Sequence, residues 1–91
     1  MIILSQDKLQ IFNFKTAKNI WIEEKEVEIN QIEQVVYSIY IDGEIVGSYE
    51  TKERAKEVLQ EIINKYKTTL YNSKTNETVV NVPKVYEMPE D

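Results

Sequence analysis

Two short apolar runs open the chain, Ile2–Leu4 and Leu9–Phe14, divided by the polar stretch Ser5-Gln6-Asp7-Lys8. Runs of that length around a polar break predict a β-hairpin. Asn19–Glu24 reads as a third strand, with Ile20 and Ile22 on one face and Trp21 on the other. Past Lys25 the phase slips. Val27 and Ile29 fall in step with Trp21 rather than Ile22, which predicts a turn or bulge near Lys25-Glu26.

The clearest β pattern is Glu33–Tyr49, where Val35, Tyr37 and Ile39 alternate with Val36, Ser38 and Tyr40. Asp42-Gly43 marks a tight turn into Glu44–Tyr49, and two registers compete across it. A two-residue loop puts Ile45 and Tyr49 on the face of Ser38. A three-residue loop with Gly43 in a G1 bulge pairs Ile39 with Ile45 and Val35 with Tyr49. The second gathers the apolar residues on one face and is the preferred expectation.

From Thr51 to about Tyr66, the residues Ala55, Val58, Leu59, Ile62, Ile63 and Tyr66 recur at helical spacing as one apolar stripe. Thr51 suits the N-cap and Glu53 the positive end of the helix dipole. Asn72–Thr78 reads as a polar connector. Beyond it, Val79, Val80, Val82, Val85, Tyr86 and Met88 form an apolar tail interrupted by Pro83. Proline cannot donate to a ladder, so the tail suits an edge strand or extended arm. Return to its own domain, with Tyr86 and Met88 as a lid on the core, is favoured over docking on a neighbouring chain.

These elements predict an α+β fold: an antiparallel meander of about five strands packed on one long amphipathic helix, with an extended C-terminal tail or edge strand. At 91 residues this is a single domain, 1–91, with a core over about 1–71 and the tail over about 72–91. The chain has no cysteine and no histidine. That removes disulfides, thiolate chemistry, zinc–thiolate sites, and the commonest general base and transition-metal ligand. The opening apolar run meets Ser5 too early for a signal peptide, and no run is long enough to span a bilayer. A cytoplasmic location without membrane contact is the expectation.

Charge is unevenly placed. Glu23, Glu24, Glu26, Glu28, Glu33, Asp42, Glu44 and Glu50 face a single base, Lys25, within residues 20–50, while the following stretch is mildly basic. Glu23, Glu24, Glu26 and Glu28 supply the carboxylate oxygens a hard cation prefers, but they lack a loop glycine or a third ligand type. A solvated acidic strand accounts for them. Paired carboxylates also serve glycosidases, yet the domain is small for such a cleft, and its two glycines form no phosphate loop. No catalytic, cofactor or metal residues are assigned, and the chain is expected not to be an enzyme.

Phe12, Phe14, Tyr37, Tyr49 and Tyr66 fit core positions, whereas Trp21, Tyr40, Tyr71 and Tyr86 are less committed. Aromatic and methionine side chains outside a core mark protein contacts. Trp21, Tyr40, Tyr86 and Met88 are therefore the candidate protein-contact residues.

Glu33–Ile63, with its junction Gly47-Ser48-Tyr49-Glu50-Thr51-Lys52-Glu53-Arg54-Ala55, resembles the three-stranded-sheet-plus-helix DNA readers of the AP2 and integrase arm-binding type. Those domains use a basic sheet face, and the acidic stretch here has the wrong sign for phosphate. Three further segments resemble a family of small proteins from Gram-positive bacteria, their prophages and mobile elements. They are Met1-Ile2-Ile3-Leu4-Ser5-Gln6-Asp7-Lys8, Tyr49-Glu50-Thr51-Lys52-Glu53-Arg54-Ala55-Lys56-Glu57-Val58-Leu59 and Tyr86-Glu87-Met88-Pro89. That resemblance implies a cytoplasmic, phage-associated setting and gives no residue a role. The leading expectation is a non-catalytic protein-interaction module whose partner is another protein or a second copy. The alternative is a nucleic-acid-linked accessory protein, either a direct binder or an acidic competitor for a basic DNA-binding protein.

Overall fold

Alternating apolar residues build six strands in the computed structural model of the chain, which describes residues 1–75 and 85–91. Strands β1 (Ile2–Leu4) and β2 (Ile11–Asn13) form the expected hairpin. Strands β3 (Ile20–Ile29), β4 (Ile32–Ile41) and β5 (Glu44–Tyr49) form an antiparallel meander, followed by helix α1 (Lys52–Thr75) and strand β6 (Val85–Glu87). The fold is α+β, but the strands do not form the single five-stranded sheet expected from the sequence. They divide into two three-stranded sheets, ordered β2-β1-β6 and β3-β4-β5.

The division has one local and one distant cause. The Asn13 side chain accepts the Lys15 N–H at 3.0 Å and starts a 3-10 turn over Phe14–Thr16, which swings the chain away from β2. Asp42 then takes the Lys18 and Asn19 N–H groups on one carboxylate oxygen, both at 2.9 Å, and seats β3 beside β4. The second edge of β1 is left for β6, which pairs with it in parallel.

Both turns of the meander have two residues with positive φ: Asn30 (53°) and Gln31 (65°), then Asp42 (49°) and Gly43 (90°). That is the type I′ geometry favoured in tight hairpins. The preferred three-residue loop at Gly43 is therefore incorrect. Ile41 pairs with Glu44 and Tyr40 with Ile45, after which a bulge at Val46 shifts the ladder so that Ile39 meets Gly47 and Tyr37 meets Tyr49. One extra residue reconciles the I′ turn with an apolar inner face: Val46 and Tyr49 are buried beside Ile39 and Ile41. The bulge also leaves the Val46 carbonyl to accept the Gln6 N–H at 2.7 Å.

The helix packs as its stripe predicts, with Ala55, Val58 and Ile62 fully buried. Thr51 Oγ1 accepts the Arg54 N–H at 3.1 Å, a side-chain N-cap. The helix continues to Thr75, through the first part of the segment expected to be a polar connector. Of the tail, Val79, Val80, Val82 and Pro83 lie outside the described residues. Its end does return to the domain: Tyr86 and Met88 enter the core beside Ile3, and the Met88 N–H bonds to Leu4 O at 3.0 Å.

Gln6 fastens the two sheets and the tail together. Its Oε1 accepts the Ser48 N–H at 2.8 Å, and its Nε2 lies 2.8–3.1 Å from the carbonyls of Ser48, Pro89 and Glu90. The hydroxyl of Tyr49 donates to Pro89 O, and that of Tyr86 to Glu61 Oε1, each at 2.9 Å. Gly47 lies beneath this junction, where an added Cβ would sit 3.0 Å from both Met88 Cε and the Tyr49 hydroxyl.

Burial pushes the Tyr49 phenol up to about 12; burial and then the Glu61 carboxylate push Tyr86 up as well. Both phenols hold their proton more tightly in the native state than in the unfolded chain, where the value is about 10. Their contribution is intact below about pH 10 and is lost as pH rises through the folded values. The melting temperature is thus expected to be level approaching pH 10 and to fall above it. The fall should be shallower in the Tyr49→Phe, Tyr86→Phe double variant. Equal slopes in thermal melts of the two proteins would contradict this origin.

Candidate protein interface

The helix covers one face of the β3-β4-β5 sheet, so alternation along the strands determines what the other face presents. Inward go Ile20, Ile22, Ile39, Ile41 and Tyr49. Outward go Trp21, Tyr40 and Ile45, side by side on three strands. Trp21 and Tyr40 stack with ring planes 1° apart and centroids 5.2 Å apart. Lys25 Nζ donates to the Tyr40 hydroxyl at 3.0 Å, and this bond holds the ammonium above the usual lysine value. Beside the aromatic pair, Ser38 and Ser48 share a hydroxyl–hydroxyl bond of 2.8 Å.

Beyond the Glu24·Tyr37 pair, β3 and β4 outrun β5 and form an arm. From Lys25 to Val35, every residue except Val27 is exposed. The arm keeps two unlike faces. Val36, Val27, Ile29 and Ile32 continue the outer apolar row, with Ile29 47% and Ile32 61% exposed. Glu24, Glu26, Glu28 and Glu33, with the exposed Val35 opposite Glu26, occupy the inner side, which α1 leaves uncovered here.

No turn or bulge occurs at Lys25-Glu26, contrary to the sequence expectation; the β3–β4 ladder runs unbroken from Ile20·Ile41 to Ile29·Ile32. The change of phase is real but has another origin. Where the strand leaves the helix, the formerly core-facing side meets water and becomes acidic, while the outer side stays apolar.

Of the four candidate contact residues, Trp21 and Tyr40 come together on the outer face, where Trp21 is 38% exposed and Tyr40, stacked with it, is buried at 8%. Tyr86 and Met88 lie elsewhere, in the core cluster beside Ile3. Ile45, Val27, Ile29 and Ile32 join the surface without having been singled out from the sequence. For Val27 and Ile29 the signal was the phase shared with Trp21; Ile32 and Ile45 reach the face through the strand pairing.

A concavity of about 420 Å³ lies between the end of β5, the first turn of α1 and Glu90-Asp91. Its Arg54 is already engaged by Glu57 at 3.2 Å, Glu61 at 3.5 Å and the Asp91 main-chain oxygen at 3.0 Å. Among the described residues, no group of three acidic side chains converges as a metal site, and no helix is long and apolar enough to cross a membrane. Comparisons with protein-family models, with curated proteins and with solved structures find no match.

Proposed function

We propose that this chain is a non-catalytic protein-interaction module of the cytoplasm that binds through the β3-β4-β5 sheet. The observation that carries the reading is the outer row Trp21·Tyr40·Ile45, continued along the arm by Val27, Ile29 and Ile32 with no element of the described chain against it. Trp21, exposed and held rigid by its stack on the buried Tyr40, offers an aromatic contact with the Lys25 ammonium beside it, the chemistry of interface anchors. Direct nucleic-acid binding is disfavoured, because among the described strand residues Lys25 is the one base on this face and Glu23 stands beside it. A second reading draws on the acidic side of the arm: an acidic competitor for a basic DNA-binding protein.

The test is a pull-down from host extract at about 0.15 M salt with wild type, Trp21→Ser and Ile45→Ser. A protein retained by wild type should bind at least about tenfold more weakly to each variant, while melting temperatures stay close. A partner held equally by all three would remove the outer face from the contact.

A further inference from the structure

Strand β3 is the edge of its sheet: among the described residues, its neighbour is β4 and its other side is open. In a two-residue hairpin, the residues flanking the turn exchange both main-chain bonds, and bonded pairs then alternate along the ladder. With Ile29·Ile32 flanking the Asn30-Gln31 turn, the main-chain groups of Ile29, Val27, Lys25, Glu23 and Trp21 point to β4. The bond from the Asp42 N–H to Asn19 O continues the same parity. The N–H and C=O groups of Ile20, Ile22, Glu24, Glu26 and Glu28 therefore face the open side. A strand added there would set alternate residues opposite Glu24, Glu26 and Glu28, and the intervening ones beside Trp21, Glu23, Lys25, Val27 and Ile29.

Resting on the interaction-module reading, we infer that this edge accepts, as a fourth strand, an extended segment of a basic protein. Its lysines or arginines alternate with apolar residues: the bases meet the glutamate row and the apolar residues extend the Trp21 row. Charge complementarity selects this occupant over a second copy. With the outer faces kept on one side, any antiparallel β3–β3 pairing along most of the strand sets a glutamate directly opposite a glutamate, and like charges at that spacing are destabilising. A nucleic acid would meet the same carboxylates with its phosphates. Inward-pointing charge is also a known guard against unwanted edge pairing. Here it admits a partner of opposite sign.

The probe is a capped peptide of about ten residues alternating lysine and valine, titrated against the full chain and followed by the fluorescence of Trp21, the single tryptophan. Saturable binding that weakens with salt is expected, together with an affinity loss of at least about tenfold when the peptide N–H groups facing β3 are methylated. Glu26→Pro should cause a comparable loss with little change in melting temperature, since that N–H makes no ladder bond. Glu26→Gln, which keeps the N–H, should lose less. Equal affinity for the methylated peptide, equal binding of a glutamate–valine peptide, or no saturation would each overturn the strand-addition inference. A dimer in light scattering that Glu26→Pro abolishes would also overturn it, in favour of a second copy. A host partner that survives Glu26→Pro but is lost from Ile45→Ser would sink this inference and leave the outer-face reading standing.

Discussion

Ile62→Asp is expected to unfold the chain or bring it close to unfolding at 25 °C. Ile62 is fully buried on the helix stripe, against a core that includes Ile39, Ile41 and Val58. Its apolar burial is worth about 1.5–3 kcal/mol. An aspartate there also strands a carboxylate without a partner, adding several kcal/mol or forcing it to take up a proton. A domain of this size has about 5–14 kcal/mol in total, so one substitution consumes much of it. Lys56→Asp, on the exposed side of the same helix, should stay within about 0.5 kcal/mol of wild type. Far-ultraviolet circular dichroism against temperature reads both. A wild-type melt for Ile62→Asp would mean that the stripe does not face the sheet.

The second large effect concerns the tail. Deleting residues 79–91 removes Tyr86 and Met88 from the core, the β6 ladder on β1, and the Pro89 and Glu90 carbonyls that Gln6 and Tyr49 use. Full burial of a methionine-sized side chain is worth about 1.5–3 kcal/mol, and Tyr86 brings a comparable apolar area plus its bond to Glu61. A combined loss of about 4 kcal/mol corresponds to a fall of roughly 16–32 °C in melting temperature at about 4–8 °C per kcal/mol. Light scattering should show the same oligomeric state before and after deletion, because these contacts are made within one chain. An unchanged melting temperature would contradict the burial of Tyr86 and Met88. Loss of a dimer would instead mean that the tail is exchanged between copies.

The sequence by itself determined the elements whose cause is local. The 3.6-residue recurrence from Ala55 to Tyr66 specified the helix and its buried face, because the period of a helix is a property of the backbone and needs no neighbour. Asp42-Gly43 marked its turn because few residues tolerate positive φ in succession. Ile2–Leu4 and Leu9–Phe14 showed themselves as a hairpin because a polar break divides two apolar runs, although the second strand narrows to Ile11–Asn13. Trp21 and Tyr40 were legible as uncommitted aromatics, since neither shares the phase of its strand's core residues.

Tertiary structure alone decided what depends on distant segments. Whether β2 and β3 share a sheet rests on Asp42 capturing the Lys18 and Asn19 N–H groups across the fold. The Val46 bulge settled a register that turn chemistry and apolar phase pull in opposite directions, and its carbonyl is taken up by Gln6 from another strand pair. Tyr86 and Met88 went to the core because β1 offered a free edge, a vacancy no local pattern announces. The phase slip at Lys25 shows the limit most plainly. A pattern records which side of a strand is apolar, but the side that counts as the interior changes where the helix stops covering it. In this chain that boundary, not a break in the strand, leaves an apolar row and an acidic row on opposite faces of one exposed arm.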